Sequence, residues 1–226
     1  MSPQVIFQHF LLLLEGVPLT LQIVLLALAF GFLMGGITAF LRMSRVPVLS
    51  QLAHLYLYVI RGTPLLVQIF LIYFGLGQIE LIRDSFAWPM LREEFWCAIL
   101  ALSLNSAAYT SEAIRGAIQS VEHGQVEAAL AYGMSRRERF MQVILPQALR
   151  QFLPAYGNEV VIMVKASALA STITLMEVTG IARNLASKTY TPIETFIAAG
   201  LIYLALNLVF TRLLGRAEAR AGSHAR

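Results

Sequence analysis

Residues Ser120–Leu149 read SVEHGQVEAALAYGMSRRERFMQVILPQAL, the only long stretch between the apolar runs of the chain that is polar yet patterned as helix. Two short helices are written in it, joined at Gly133. The first, about Glu122 to Tyr132, sets Val126, Ala129 and Leu130 on one face at three- and four-residue spacing. Gly133 suits a left-handed stop, because glycine has no Cβ to penalise positive φ. Ser135 and Glu138 then form an S-x-x-E capping box that opens a second helix, with Phe140, Val143 and Ile144 along one side. Pro146 lacks the N–H needed to continue that helix and is read as its stop. Small side chains at Ala128, Ala129 and Ala131 let a partner surface approach closely. On this pattern alone an ordinary solvated hairpin stands equally open.

Outside the hairpin the chain is dominated by apolar sequence. Of its 226 residues 58% are hydrophobic and 13% charged, which excludes a typical soluble domain. Charge-free runs of about 17 to 26 residues are long enough to cross a hydrocarbon layer about 30 Å thick. The class is an all-α integral membrane protein. Cys97, the single cysteine, excludes an internal disulfide and reads as apolar packing. The net charge of +4 comes from arginines at the ends of spans, so it speaks for membrane orientation and not for nucleic acid. The N-terminus lacks a basic n-region and a small-residue cleavage site, and no removable signal peptide is expected.

Five spans are expected within one transmembrane domain covering 1–226. Met1 to Glu15 is short, and the first span runs 16–41; Gly31, Gly35 and Gly36 in it either form a close helix contact or are ordinary membrane-helix glycines. Pro47 to Ile60 suits a helix near the inner interface, with His54 an interfacial side chain. The second span is 63–79, with Pro64 as its first helical residue. A mixed-charge outer loop at 80–94 precedes the third span, 95–113, and the hairpin loop occupies 115–150. The fourth span starts near Pro154 and ends near Met176, a loop with Glu177, Arg183 and Lys188 follows, and the fifth span is 195–214. Arg42, Arg45, Arg61, Arg115, Arg136, Arg137, Arg139, Arg150, Arg212, Arg216, Arg220 and Arg226 fall on one side of this topology. The positive-inside rule then puts the N-terminus outside and the hairpin and C-terminus in the cytoplasm.

No catalytic or metal site is apparent. A P-loop needs a lysine directly after glycine, whereas Lys165 and Lys188 follow Val164 and Ser187. One cysteine and four scattered histidines supply no metal-ligand spacing. The sole aspartate, Asp84, sits in the outer loop, which argues against a Ser–His–Asp hydrolase.

Polar residues inside the spans mark a solute path, because such groups are costly in hydrocarbon and face a protein interior or cavity. Asn105, Tyr109 and Glu112 share one face of the third span, and Asn158 and Lys165 are seven apart on the fourth. Lys165 lies roughly 16 Å past the start of its span, near mid-membrane. Its ammonium either pairs with a solute carboxylate or with an acid of a neighbouring helix. Asn105 contacts either the solute or another helix, and Ser167 and Thr172 are further hydroxyl candidates. Arg61 and Glu159, each near the inner end of a span, are expected to pair as a structural or gate contact.

Several motifs resemble one family. Glu127–Ala129 with Gly133 and the I-L-P of Ile144–Pro146 is similar to the EAA loop of ABC importer permeases. RGTPLLVQ at 61–68, LSLNSAAY at 102–109, LPAYGNE at 153–159 and ALASTITLMEVTGIAR at 168–183 resemble the polar amino-acid branch, closest in kind to subunits for histidine, basic amino acids and opines. The resemblance covers most of the chain from residue 56 onward. It implies a type I importer permease in which Val126, Glu127, Ala128, Ala129, Gly133, Ile144 and Pro146 couple to an ATPase. It also implies a paralogous permease subunit in a heterodimer (a homodimer being the other possibility), two ATPase subunits using ATP and Mg, a periplasmic solute-binding protein and an inner-membrane location. No cofactor is expected on this chain. Relatives often carry a polar residue after the lysine, where this chain has Ala166. The rival readings are an ion-gradient carrier, disfavoured because no internal repeat is seen, and a membrane scaffold, which leaves Lys165 and Asn105 unexplained.

Overall fold

The computed structural model describes residues 2–222, and no strand occurs among them. Arg226 lies outside the described residues. Helix α1 (Pro3–Leu13) passes through a 3₁₀ turn at Leu14–Gly16 into α2 (Val17–Arg42). Together they form one apolar helical run, Pro3–Arg42, so the N-terminal segment read as a short preface is helical and continuous with the first span. At the other end of the chain, α12 (Pro192–Gly222) is the second long apolar helix. Both leave large side chains such as Phe30, Leu33, Phe40, Leu204 and Leu208 uncovered, as a lipid-facing surface requires.

Two more membrane-length stretches are bent. Helix α3 (Pro47–Gly62) meets α4 (Leu65–Phe70) and its π and 3₁₀ continuation to Gln78 at 107°. Pro64 causes the break: its ring pushes Thr63 into extended backbone (φ −116°, ψ 145°), and it caps α4 as the residue before the helix, not as the first helical residue. After the short outer helices α5 (Glu80–Arg83) and α6 (Trp88–Leu91) comes α7 (Glu94–Gln119), which runs six residues beyond the expected end at residue 113.

The hairpin helices α8 (His123–Ala131) and α9 (Arg136–Glu138) lead into a π segment at Arg139–Ile144 and then α10 (Leu145–Ala166). Pro146 therefore does not end a helix. A proline ring clashes with the carbonyl four residues back, and the wider π turn just before it relieves that contact. The helix containing the fourth span accordingly starts well before Pro154, which lies inside it. A 3₁₀ segment, Ser167–Ile173, follows, and the loop expected after Met176 is mostly α11 (Val178–Thr189).

Helix α7 is the centre of the bundle, packed between α2 and α10. Its buried positions are mainly Ala and Ser, which lets neighbours come close. A Cβ on Gly31 would lie 2.8 Å from Ser106 Cβ, and one on Gly35 2.8 Å from Thr110 Cβ, so both glycines make the α2–α7 contact; Gly36 faces open space. The main core joins Val24, Ala27 and Leu28 of α2 to Ala98, Ala101 and Leu102 of α7 and Val160, Met163 and Val164 of α10. Cys97 is buried in it.

Candidate functional site

The hairpin is locked by local hydrogen bonds. At the end of α8, Gly133 has φ +77°, its N–H donates to Leu130 O at 2.9 Å, and Met134 N–H donates to Ala129 O at 3.1 Å. This is a Schellman stop. The capping box is complete: Ser135 N–H donates to Glu138 Oε2 at 2.8 Å and Glu138 N–H to Ser135 Oγ at 3.3 Å. Hydrogen bonds from the Ser135 hydroxyl and its backbone hold the Glu138 carboxyl below the usual carboxylate range. Gln147 Nε2 donates to Gln125 Oε1 at 2.6 Å, tying α8 to the start of α10.

The two faces of α8 differ in burial. Val126 and the buried Ala129 turn inward, and Val126 packs with Ile144 against Ala117, Val121, Ala148 and Phe152 at the base of the bundle. Glu127, Ala128 and Ala131 are exposed on the other side, with Leu130 53% and Tyr132 89% exposed. Leu130 therefore leaves the face that its spacing with Val126 and Ala129 assigned to it. Pro146 is exposed beside Ile144 at the root of α10.

At the same end of the bundle, Glu112 gathers three arginines. It pairs with Arg42 of α2, with Arg115 of its own helix at 2.8 Å, and with Arg61 at the end of α3 at 3.5 Å. The Arg61 guanidinium also lies over the Tyr109 ring, 5.4 Å from its centroid. Arg61 thus pairs with Glu112 and not with Glu159, which is buried between α10 and α7 with Oε1 lacking a hydrogen-bond partner. The expected Arg61–Glu159 pair is not formed: Glu159 turns into the bundle interior, and the Arg61 guanidinium reaches Glu112 instead. Tyr109, Arg61, Glu112, Arg42 and His54 line a cavity of about 640 Å³. His54 is part of this cluster, since Arg42 Nε donates to its Nε2 at 3.1 Å.

Asn105 makes an interhelical bond: its Nδ2 donates to Gln68 Oε1 at 3.2 Å. Gln68 in turn donates from Nε2 to Ile60 O at 2.7 Å and to Thr63 O at 3.1 Å, covering carbonyls that the Pro64 break leaves free. Ser167 is fully buried and donates to Val164 O at 2.8 Å, so it faces the core and not an open path. Thr172 donates to Leu169 O at 2.6 Å and lines a separate cavity with Arg183 and Asn184. Lys165 is exposed, and with exposed Asn158 and Ile162 it marks a face of α10 that no other part of the described chain covers. No group of three His, Cys, Asp or Glu side chains arranged for a metal occurs among the described residues.

Residues 16–222 match the family described as binding-protein-dependent transport system inner membrane component. The chain belongs to that family. It is 50% identical over 212 residues to an octopine transport system permease protein of Rhizobium radiobacter, covering 94% of this chain and 86% of the relative. Over 210 residues it is 40% identical to the histidine/lysine/arginine/ornithine transport system permease protein of Escherichia coli strain K12, covering 92% and 88%. A crystal structure of an amino acid ABC transporter with histidines superposes with a TM-score of 0.87 at 38% identity, covering 97% of this chain and 99% of that one.

Three contributors of this inner membrane component escape sequence reading. Gln68 is one amide in an apolar run and has no periodic partner. Arg42 and Arg115 read as interface charges, and their convergence on Glu112 depends on how α2 and α7 pack. The i, i+3 spacing of Glu112 and Arg115 was the one available signal.

Proposed function

We propose that this chain is the membrane-spanning permease subunit of an ATP-driven importer that moves polar or basic amino acids, or opines, from a periplasmic binding protein into the cytoplasm of a bacterium. It crosses the inner membrane five times, with α7 as the central span and a periplasmic N-terminus. The meeting of Arg42, Arg61 and Arg115 at the hairpin end supports that orientation. A paralogous permease completes the solute path. Two ATPase subunits bind ATP and Mg, and this chain hydrolyses nothing itself.

The observation that carries this reading is the division of the hairpin: one face fastened to the bundle, the other presenting Glu127, Ala128, Leu130 and Tyr132 with no covering from the described residues. A firmly rooted projection with small and aromatic residues at its tip suits docking into an ATPase cleft. When nucleotide closes the ATPases, the hairpin moves and α10 moves with it. Asn158 and Lys165 lie on the uncovered face of α10, where a solute passes between this subunit and its partner.

The test is reconstitution of the whole complex in liposomes. Uptake is expected to need internal ATP and to ignore an imposed ion gradient; transport on a gradient alone would support a secondary carrier. A side chain at Gly133 meets no neighbour within 4 Å, but at φ +77° it strains the turn that ends α8; with Gly133→Asp the complex is expected to insert and assemble while binding-protein-stimulated ATP hydrolysis falls at least tenfold. Unchanged coupling counts against the docking assignment.

A further inference from the structure

Helix α3 has three distinct faces. Ala53 and Leu57 are buried against the bundle, and Tyr56 Oη donates to Leu104 O of α7 at 2.5 Å. Val48, Leu52, Leu55 and Val59, at i, i+4, i+7 and i+11, form an exposed apolar stripe. Gln51, His54, Tyr58 and Arg61 form an exposed polar line beside it. An apolar stripe flanked by polar and cationic side chains is the pattern of a helix at a membrane interface. At 1.5 Å per residue the stripe is about 16 Å long, close to the hydrocarbon depth of one leaflet, about 15 Å.

The polar line opens on the cavity of about 640 Å³ between α2, α3 and α7, and the charge there is unbalanced. Three guanidinium groups, Arg42, Arg61 and Arg115, share the one carboxylate of Glu112, which leaves two positive charges uncompensated. Among the described residues Glu112 is the one acid lining the cavity. His54 is occupied at both ring nitrogens, with Nδ1 donating to Ser50 O at 2.7 Å and Nε2 accepting from Arg42 Nε at 3.1 Å. Arg42 and Arg115 spend their N–H groups on Glu112, His54 and Gln119. Arg61 differs. It reaches Glu112 with one nitrogen at 3.5 Å, donates no hydrogen bond to any described residue, and is 44% exposed. Its guanidinium rests over the Tyr109 ring, and its N–H donors are left for a ligand in the cavity that it lines.

We propose that this cavity binds the phosphodiester of an anionic phospholipid, with Arg61 as its main donor and the α3 stripe against the acyl chains. A guanidinium matches a phosphate through two parallel hydrogen bonds, and basic pockets between membrane helices on the inner side suit such headgroups. A free anion uses the arginines and leaves the stripe bare. A zwitterionic lipid covers the stripe and leaves the charge uncompensated. A molecule with an anionic head and apolar tails satisfies both. The bound lipid holds Arg61 three residues before Pro64, where α3 and α4 part at 107°. The inference goes beyond the importer reading and holds whichever solute is carried.

The experiment takes the complete permease–ATPase complex, delipidated in detergent, and titrates it with phosphatidylglycerol and with phosphatidylcholine of the same chains. Wild-type complex is expected to bind phosphatidylglycerol about tenfold tighter, glycerol 3-phosphate should not displace it, and photoactivatable phosphatidylglycerol should label residues 47–62. Arg61→Gln should weaken phosphatidylglycerol roughly fivefold, the worth of one cationic side chain at an anionic lipid surface, and leave phosphatidylcholine unchanged. Arg61→Lys should keep most of the preference, and Leu52→Asn/Leu55→Asn should weaken both lipids. Equal affinity for the two lipids, displacement by glycerol 3-phosphate, or label absent from 47–62 overturns the proposal without any variant. So does an unaltered lipid preference in Arg61→Gln, or crosslinking of the stripe to a partner subunit in place of lipid. These outcomes leave the importer reading standing, whereas uptake that needs no ATP sinks that reading and leaves the lipid site.

Discussion

Gly35 and Gly36 are adjacent and chemically identical, yet an added side chain meets Thr110 at one and open space at the other. Gly35→Val is expected to lower stability by about 1–3 kcal/mol through overpacking of α2 on α7. Gly36→Val should stay close to wild type, and thermal unfolding of both variants in one detergent separates them; equal Tm values would contradict the α2–α7 contact. Gln68→Leu keeps the volume and removes the amide. It leaves the Ile60 and Thr63 carbonyls and the Asn105 amide without their partner, at an expected cost of about 1–3 kcal/mol in the same assay. The sequence offered Gly31, Gly35 and Gly36 together as a contact or as ordinary membrane-helix glycines; the structure puts Gly31 and Gly35, four apart, on the contact and turns Gly36 away. Gln68 was not legible, because a bend made by Pro64 creates the free carbonyls that it serves.

The hairpin was legible at the level of the element because its signals are local. A Schellman stop and a capping box need only the right residues within six positions, and Gly133, Ser135 and Glu138 supply them. Ser135→Ala should speed amide hydrogen exchange over 136–138 roughly fivefold, the effect of a lost N-cap. Acid should act on the same element. The folded carboxyl of Glu138 titrates below its ordinary value, so its contribution is present above that value and is lost as pH falls through the lower, folded one. Protection factors over 136–138, taken relative to the intrinsic exchange rate at each pH, should therefore fall as the Glu138 carboxylate is protonated in wild type and change less in Ser135→Ala. The region after Glu138 was misread for a physical reason: Pro146 ends a regular α-helix, but a π turn lets the chain continue through it. The fourth span's start moved with it, and α7 outran the expected end of the third, since apolar content marks where a helix is buried in lipid and not where it stops.

Across the whole molecule, Glu112 joins three helices that are far apart in sequence. Glu112→Gln leaves Arg42, Arg61 and Arg115 facing one another and is expected to cost up to about 3 kcal/mol. Arg61→Gln removes only the longest and most exposed of the three pairs and should cost less than about 1 kcal/mol. Equal losses of Tm would mean that the cluster does not hold α2, α3 and α7 together. The sequence placed Arg61 and Glu159 near the inner ends of their spans and Glu112 on a solute-path face; the arginine meets Glu112 instead, because which side chains face one another depends on how the helices pack. Helical structure from Arg136 to Ile173 is uninterrupted, so Lys165 and the hairpin are points on one shaft about 45 Å apart. The π turn at 139–144 sets their relative azimuth like a key cut into that shaft. Removing the key would turn everything beyond it by roughly 100°, aiming the ammonium at a different neighbour while every interhelical residue kept its identity.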